Sequence, residues 1–412
     1  MSTTKQPLYY GWIMVAALAI TETISYGVLF YAFTVFIQPM EAELGWTRGD
    51  ITLAYSLGTL VMALVGLLIG RWLDRHGARF IMSFGSLLAA LLVFGWAHVQ
   101  DYRLYFTIWL ALGVVKGMVL YEPAFWVVSA WFAKRRRQAL TLMTFVAGFS
   151  SLIFTPLTQA LVSAYGWRST LVIYALLLAL TTVPLHLLIL RRRPSDLGLQ
   201  PDGDTIQTDG SPAPIATSTR RELKRVLRQP AFWWLTLGFM FNAVTLNAIV
   251  IHLVPYLKDA GYAPAFAALV YGLVGAVSLP GRLILTPLGD RVAPIGIAAG
   301  MFLTQALGVI ALGGVQSEAF VWLFLLLFAA GYGAITPTRA ALVAEFFGTA
   351  HYGTISSVML LIISVVSAFA PAAVGMLYDR VGNYTLALTV MTLCSMASVI
   401  MLWLAARARS RV

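Results

Sequence analysis

Of 412 residues, 59% are hydrophobic and 11% are charged, where soluble domains carry roughly 25% charged residues. That balance excludes a water-soluble globular protein. The formal charge of +11 falls mostly in short connections between apolar runs, so nucleic-acid binding is excluded as its cause, and the single Cys394 excludes an intrachain disulfide.

Apolar runs near twenty residues recur along the whole chain, each long enough to cross about 30 Å of hydrocarbon as a helix. In chain order they lie at about 10–37, 51–73, 79–98, 104–132, 139–163, 168–190, 231–257, 263–288, 294–314, 319–344, 353–378 and 384–406. No alternation of ten-residue strands is present, so the expected class is an all-α membrane protein with twelve transmembrane helices. Met1 to Trp12 lacks a cleavage site, so the first span is expected to be retained. With the N-terminus inside, twenty of the 28 Lys and Arg residues fall on the inner connections and ends, five on the outer connections, and three in or near spans. This bias places both termini in the cytoplasm.

The chain repeats its own pattern. A shift of 216 places Tyr55 on Tyr271, Asp74-Arg75 on Asp290-Arg291, Gly45 on Gly261 and Pro39 on Pro255. A shift of 214 to 215 places Pro123 on Pro337 and Pro156 on Pro371. Two pseudo-symmetric six-helix bundles, 1–190 and 231–412, are therefore expected, joined by a cytoplasmic linker, 191–230. The linker holds Pro-Asp-Gly and Thr-Asp-Gly-Ser-Pro segments and reads as partly disordered and poorly packed, with a short amphipathic helix before Pro230. Duplicated halves are characteristic of secondary transporters, whose site lies at the midplane between repeats.

Arg282 is the most informative single residue. It stands in the apolar run from Phe266 to Leu288, with no charge from Leu273 to Gly281 and none again until Asp290. A guanidinium at that depth costs about 2.5–3.5 kcal/mol on insertion scales, so it is expected to face a partner or a water-filled cavity. Its planar fork suits a carboxylate, which makes an anion site the sharper reading; a side chain snorkelling to the interface is the plainer one.

Gly70-x-x-x-Asp74-Arg75-x-Gly77-x-Arg79, between spans two and three, resembles the signature loop of the major facilitator superfamily. Asp290-Arg291 is similar to a degraded copy of it, and both are expected to serve a cytoplasmic gate. Within the superfamily, five stretches resemble the bacterial monocarboxylate transporter and oxalate/formate antiporter group. They are Tyr10-Gly11-Trp12, Leu44-Gly45-Trp46-Thr47-Arg48, Trp131-Phe132-Ala133-Lys134-Arg135-Arg136, Tyr165-Gly166-Trp167-Arg168, and the run from Arg193-Pro194 to Pro201-Asp202-Gly203.

That resemblance implies a carboxylate bound by an Arg of span eight, the position of Arg282. The chain also departs from the group: Ser278 stands where animal members carry an Asp, span one lacks their Lys, and span eleven lacks the Lys of the oxalate exchanger. One fixed cation suits a monoanion better than a dianion. The resemblance further implies that spans one, four, seven and ten line the pathway. Asn247 and Asn242 in span seven, Tyr121 in span four and Tyr332 in span ten then join Arg282 and Ser278 as candidate substrate contacts. The two Asn are about 140° apart on a helix, so both cannot point inward, and Asn247 ranks first by depth. Each Tyr reads equally well as interhelical packing. Glu22 in span one and Lys116 in span four lie at similar depth in neighbouring helices, so a buried ion pair is expected, with a proton-coupling role or a purely structural one. Glu122 and His252 are further proton-coupling candidates, His252 being equally explained by interfacial solvation. Other His residues read as span-end or loop residues.

No HExxH and no convergent His, Asp, Glu or Cys cluster is present in the spans, so neither an enzyme nor a metal or cofactor is expected. The expected function is alternating-access transport of a small monocarboxylate, lactate- or pyruvate-like, together with a proton. The alternatives are an exchanger of the oxalate/formate type and a drug exporter of the same fold, to which Glu22 and Glu122 give some support. The expected setting is a monomer in a lipid bilayer, at a bacterial inner membrane.

Overall fold

The structure, a computed structural model, describes residues 9–203, 219–288, 293–333, 335–348 and 352–409. Among the described residues there is no strand, and helices account for nearly all of the backbone. Span one runs from Tyr10 to Leu44 and span two from Arg48 to His76, both longer than their apolar runs. Span three is Ala78–Ala97 and span four Tyr102–Trp131. Spans five and six share the stretch Arg136–Ile189, which bends at Gly166. Spans seven to nine are Pro230–Asp259, Pro264–Leu288 and Pro294–Leu312. Span ten has two pieces, Glu318–Tyr332 and Ile335–Phe347; span eleven likewise, Tyr352–Ala368 and Ala370–Val381; span twelve is Thr385–Arg409. The twelve-helix expectation is met. Apolar side chains such as Leu68, Phe80, Leu180, Leu326 and Leu393 stay exposed, as lipid-facing residues should.

Local irregularities fall where the sequence demands them. Gly166 takes φ 78°, ψ 164°, a conformation that a side chain would strain, and so turns the chain between spans five and six. Span four breaks at Leu120 (ψ −165°), three residues before Pro123, whose ring would meet the carbonyl of Val119 in a continuous helix. Span one carries a π-helical turn at Gly27–Tyr31. Such turns are often found at functional sites.

The chain packs as two units that do not follow the sequence halves 1–190 and 231–412. Unit 1 holds residues 1–32, 61–154 and 160–212. Unit 2 holds residues 33–60, 155–159 and 213–412, so the ends of spans one and two on either side of Gly45 pack with the second half. The core of unit 2 is apolar: Phe232, Leu235, Phe239, Met301, Phe302, Leu342, Met359 and Leu402 are buried together.

The linker is only in part as expected. A helix does precede Pro230, at Thr219–Leu227. Residues 204–218 lie outside the described residues. The beginning of the linker, however, is well packed, contrary to expectation. Asp202 accepts hydrogen bonds from the backbone N–H groups of Ala133 (2.8 Å), Lys134 (2.7 Å) and Arg135 (3.1 Å), and the Tyr9 hydroxyl reaches the carbonyls of Trp131 and Gln200. The reason is local: three N–H groups before span five have no helical acceptor, and the Pro-Asp-Gly turn delivers a carboxylate to them. Although partial burial acts to raise it, those three donors and the Arg135 guanidinium hold the Asp202 carboxyl below the usual carboxylate range.

Candidate functional site

In unit 1, spans one and four bring the candidates near one another. Glu22 is 0% exposed, and among the described residues its two carboxylate oxygens have no hydrogen-bond partner and it forms no ion pair. The pairing with Lys116 expected from equal depth is therefore not made. Lys116 instead sets its ammonium 4.6 Å from the ring centroid of Trp109 on its own helix, a cation–π contact. Depth along a helix fixes height and leaves direction open, and direction here follows the helix ahead of the Leu120 break. One turn after Glu22, the Tyr26 ring meets that of Tyr121 at 4.5 Å, and Tyr121 stacks on Phe125 at 5.1 Å. Phe30 and Tyr31, in the π-helical turn, extend this aromatic surface. Glu122 is exposed beside it. The surface presents ring faces and hydroxyls.

His186 is not a span-end residue as the sequence suggested. It is buried, with Nδ1 2.9 Å from Ser86 Oγ and Nε2 3.0 Å from Thr21 Oγ1, so it ties span six to spans three and one.

In unit 2 the two Asn of span seven diverge, as their spacing requires. Asn242 is buried and donates to Gln305 Oε1 at 2.6 Å, which commits it to packing against span nine. Asn247 is half-buried and donates to the carbonyl of Ala243. Ser278 is buried and donates to the carbonyl of Gly275, and Tyr332 is half-buried. Arg282 belongs to the helix Pro264–Leu288, but its side chain lies outside the described residues, as do Asp290 and Arg291.

His252 is 2% exposed, so interfacial solvation is not what accommodates it. Its Nε2 lies 2.8 Å from the carbonyl of Pro371 and must carry the proton there; Nδ1 then accepts from the Tyr384 hydroxyl at 3.0 Å. Tyr384 in turn accepts from Arg48 Nη1 at 2.8 Å.

Arg48 centres a buried polar cluster that sequence reasoning passed over. Its guanidinium, 4% exposed, grips Glu41 with Nε and Nη2 (2.7 and 2.8 Å), gives Nη1 to Asp259 Oδ2 at 2.7 Å, and lies 3.9 Å from the Tyr378 ring centroid. Asp379 then caps the start of span two, taking the N–H of Arg48 at 3.1 Å and of Gly49 at 2.8 Å. Thr47 and Asp50 form a capping box that serves the next N–H. The first N–H groups of the span are thus all satisfied, two of them by a carboxylate from span eleven. Two signals could have found this site. Thr47-x-x-Asp50 marks the start of a helix, and Gly375-x-x-x-Asp379-Arg380-x-Gly382 repeats the spacing of Gly70-x-x-x-Asp74-Arg75-x-Gly77.

The Gly70 loop itself keeps to unit 1. Asp74 accepts from Trp126 Nε1 at 3.1 Å, Arg79 Nε donates to the carbonyl of Leu187 at 2.9 Å, and the Arg75 carbonyl accepts from Arg192. Gly77 has φ 79°.

The Major Facilitator Superfamily sequence model matches residues 18–371, most of the chain, with the Gly70 pattern inside the match. The chain belongs to that superfamily. As a superfamily member it is an integral membrane transporter and not an enzyme. It is 26% identical over 390 residues to monocarboxylate transporter 13 of Bos taurus, covering 91% of this chain and 84% of the relative. It is 24% identical to the uncharacterized MFS-type transporter YcxA of Bacillus subtilis (strain 168), covering 87% and 86%. Among solved structures it is similar in fold to a bacterial homologue of the human lysosomal transporter Spinster, inward-facing and unoccupied (TM-score 0.74, 16% identity, 98% and 97% covered). A point mutant of the nucleoside transporter NupG is similar to the same degree (TM-score 0.74, 13% identity, 96% and 99% covered). Among the described residues of this superfamily member, no group of three His, Cys, Asp or Glu side chains could hold a metal ion.

Proposed function

We propose that this transporter carries a small monocarboxylate together with a proton, by alternating access of the two sequence halves 1–190 and 231–412. The observation that carries this reading is Arg282 in an otherwise uncharged stretch of span eight, in a chain similar to monocarboxylate transporters. The carboxylate binds the guanidinium; within unit 1, the rings of Tyr26 and Tyr121 form an aromatic surface that suits an acyl group. Binding neutralises the cation, so closing the pathway around a loaded site costs less desolvation than closing it around a bare charge. Glu22 accepts the proton: it is a fully buried carboxyl without a hydrogen-bond partner among the described residues, one turn from that surface. The charge bias of the loops supports both termini facing the cytoplasm, and the resemblance to the bacterial group supports a bacterial inner membrane.

Exchange of two anions is the second reading, favoured by Ser278 standing where a proton-coupling Asp would be. Uptake of labelled lactate, pyruvate, acetate, formate and oxalate into proteoliposomes, with and without a pH gradient, separates the two. Symport responds to the gradient. Exchange ignores it and is accelerated by preloaded anion. Arg282→Ala, at equal incorporation, should abolish uptake under either reading; uptake at the parent rate would end the anion-site proposal.

A further inference from the structure

The linker ends in the helix Thr219–Leu227, which carries Arg220, Arg221, Lys224 and Arg225, with Arg228 one residue past its end. At about 100° per residue, positions 220, 221, 224, 225 and 228 fall within one arc of about 140°, and the apolar positions 223, 226 and 227 fall on the other side. Unit 2 treats the two sides differently. Val226 is buried in the apolar core with Phe232, Ile355 and Leu402, while Lys224, Arg225 and Arg228 are exposed. We propose that this helix is a binding site for the headgroup of an anionic phospholipid, held at the level of the bilayer surface.

Two tryptophans set that level. Trp233 is exposed, and its indole Nε1 donates to the carbonyl of Leu227 at 2.9 Å, which ties the end of the helix to the first turn of span seven. Span twelve runs antiparallel beside span seven. The Tyr256 ring meets that of Tyr384 at 5.3 Å, and at the other end a Cβ on Gly238 would lie 3.3 Å from the carbonyl of Ser398 and 3.4 Å from Leu402. This register puts Trp403 within about one turn of Trp233 in height. Trp403 is exposed as well, and the Arg407 guanidinium lies 3.5 Å from its ring centroid. Exposed Trp at span ends marks the depth at which headgroups begin, so the basic side of the helix lies at headgroup height.

Charge and arrangement select the ligand. Orienting a span needs only a number of cations, in any arrangement. A stripe at helical spacing, with its apolar side bound down, is what contact with a flat anionic surface needs. Across residues 220–228, five cations face the single acid Glu222, so a phosphodiester is favoured over a neutral or zwitterionic headgroup. A lipid is favoured over a free phosphate because apolar surface continues from the stripe: Trp403, Ile400 and Leu393 are exposed along span twelve, where acyl chains can rest.

The test uses the purified full chain in detergent, titrated with phosphatidylglycerol or with phosphatidylcholine of the same acyl chains, and read by native mass spectrometry. The parent should bind phosphatidylglycerol the more tightly. Lys224→Gln with Arg228→Gln keeps helix propensity and should weaken phosphatidylglycerol binding about thirtyfold, the effect of one Lys or Arg near an anionic surface taken twice. Phosphatidylcholine binding should not change. Arg71→Gln with Arg137→Gln removes the same charge from exposed positions of unit 1 and should leave both lipids at parent affinity. Parent affinity in the helix pair overturns the proposal. An equal loss in both pairs overturns it too, because positive charge anywhere would then suffice. Millimolar inorganic phosphate should not displace the lipid; displacement would make this a site for a soluble anion and overturn the proposal as well.

Discussion

The pattern Gly-x-x-x-Asp-Arg-x-Gly stands at two helix ends, and its two copies are in different states. At Gly375 the pattern is filled: a Cβ would overlap Gly49 and Thr52, and Asp379 holds two N–H groups of another span. At Gly70, among the described residues, a Cβ would meet nothing within 4 Å, and Asp74 accepts an exposed indole N–H of its own unit. The same residues therefore specify a clasp without specifying that it is shut. Glycine removes the side chain that would hold two helices apart, and the carboxylate supplies what a helix start lacks.

Removing the guanidinium is the most severe way to break the filled copy. Arg48→Ala leaves Glu41 and Asp259 facing each other without their cation, and Tyr384 without its donor. Stranding partners of a buried pair costs about 3–5 kcal/mol, and the two carboxylates are 21% and 28% exposed, which places this variant near the lower figure. Thermal unfolding of the purified variant in detergent should show the loss. An unchanged midpoint would mean that water replaces the whole cluster without penalty.

The glycines separate the two copies by sign. Gly375→Ala inserts a methyl where there is no space and should destabilise by about 1–3 kcal/mol. Gly70→Ala adds helix propensity in open space and should stabilise by up to about 1 kcal/mol. Unfolding midpoints of the pair, measured side by side, test this. Shifts in the same direction would show that the open copy is filled in solution.

Sequence reasoning reached the fold because lipid leaves few choices. A run of twenty apolar residues can satisfy its backbone only as a helix, and loop charge orients it, so twelve spans were legible to within a few residues. Where polar groups extend a helix, composition under-reads it: span two begins at Arg48 because Thr47, Asp50 and Asp379 complete its first turn, and span one continues to Leu44 past Pro39. The site was legible in residue type and not in direction. Glu22 and Lys116 were found by depth, yet the rotation of span four sends Lys116 to Trp109. His252 and His186 read as peripheral because their partners, Tyr384, Pro371, Ser86 and Thr21, come from distant spans that no local pattern connects. Arg48 was placed among loop charges, since a cation at a span end is ordinarily solvated.

Asp202 sharpens the comparison with the smallest expected effect, because it is a carboxylate on backbone N–H groups that joins no two halves. It caps Ala133, Lys134 and Arg135 from the linker of the same unit. Losing it should therefore loosen the linker and leave the Arg48 cluster intact. Its folded pKa lies below the ordinary carboxylate value, so the sign is fixed: its stabilisation is complete above about pH 4 and fades as pH falls through the lowered folded value. Asp202→Asn should accordingly be slightly less stable than the parent at neutral pH, and the difference should shrink in acid. Thermal unfolding midpoints of variant and parent, measured from neutral to acid pH, check this. A difference that stayed constant or grew in acid would show that the charged carboxylate of Asp202 is not what holds these three N–H groups.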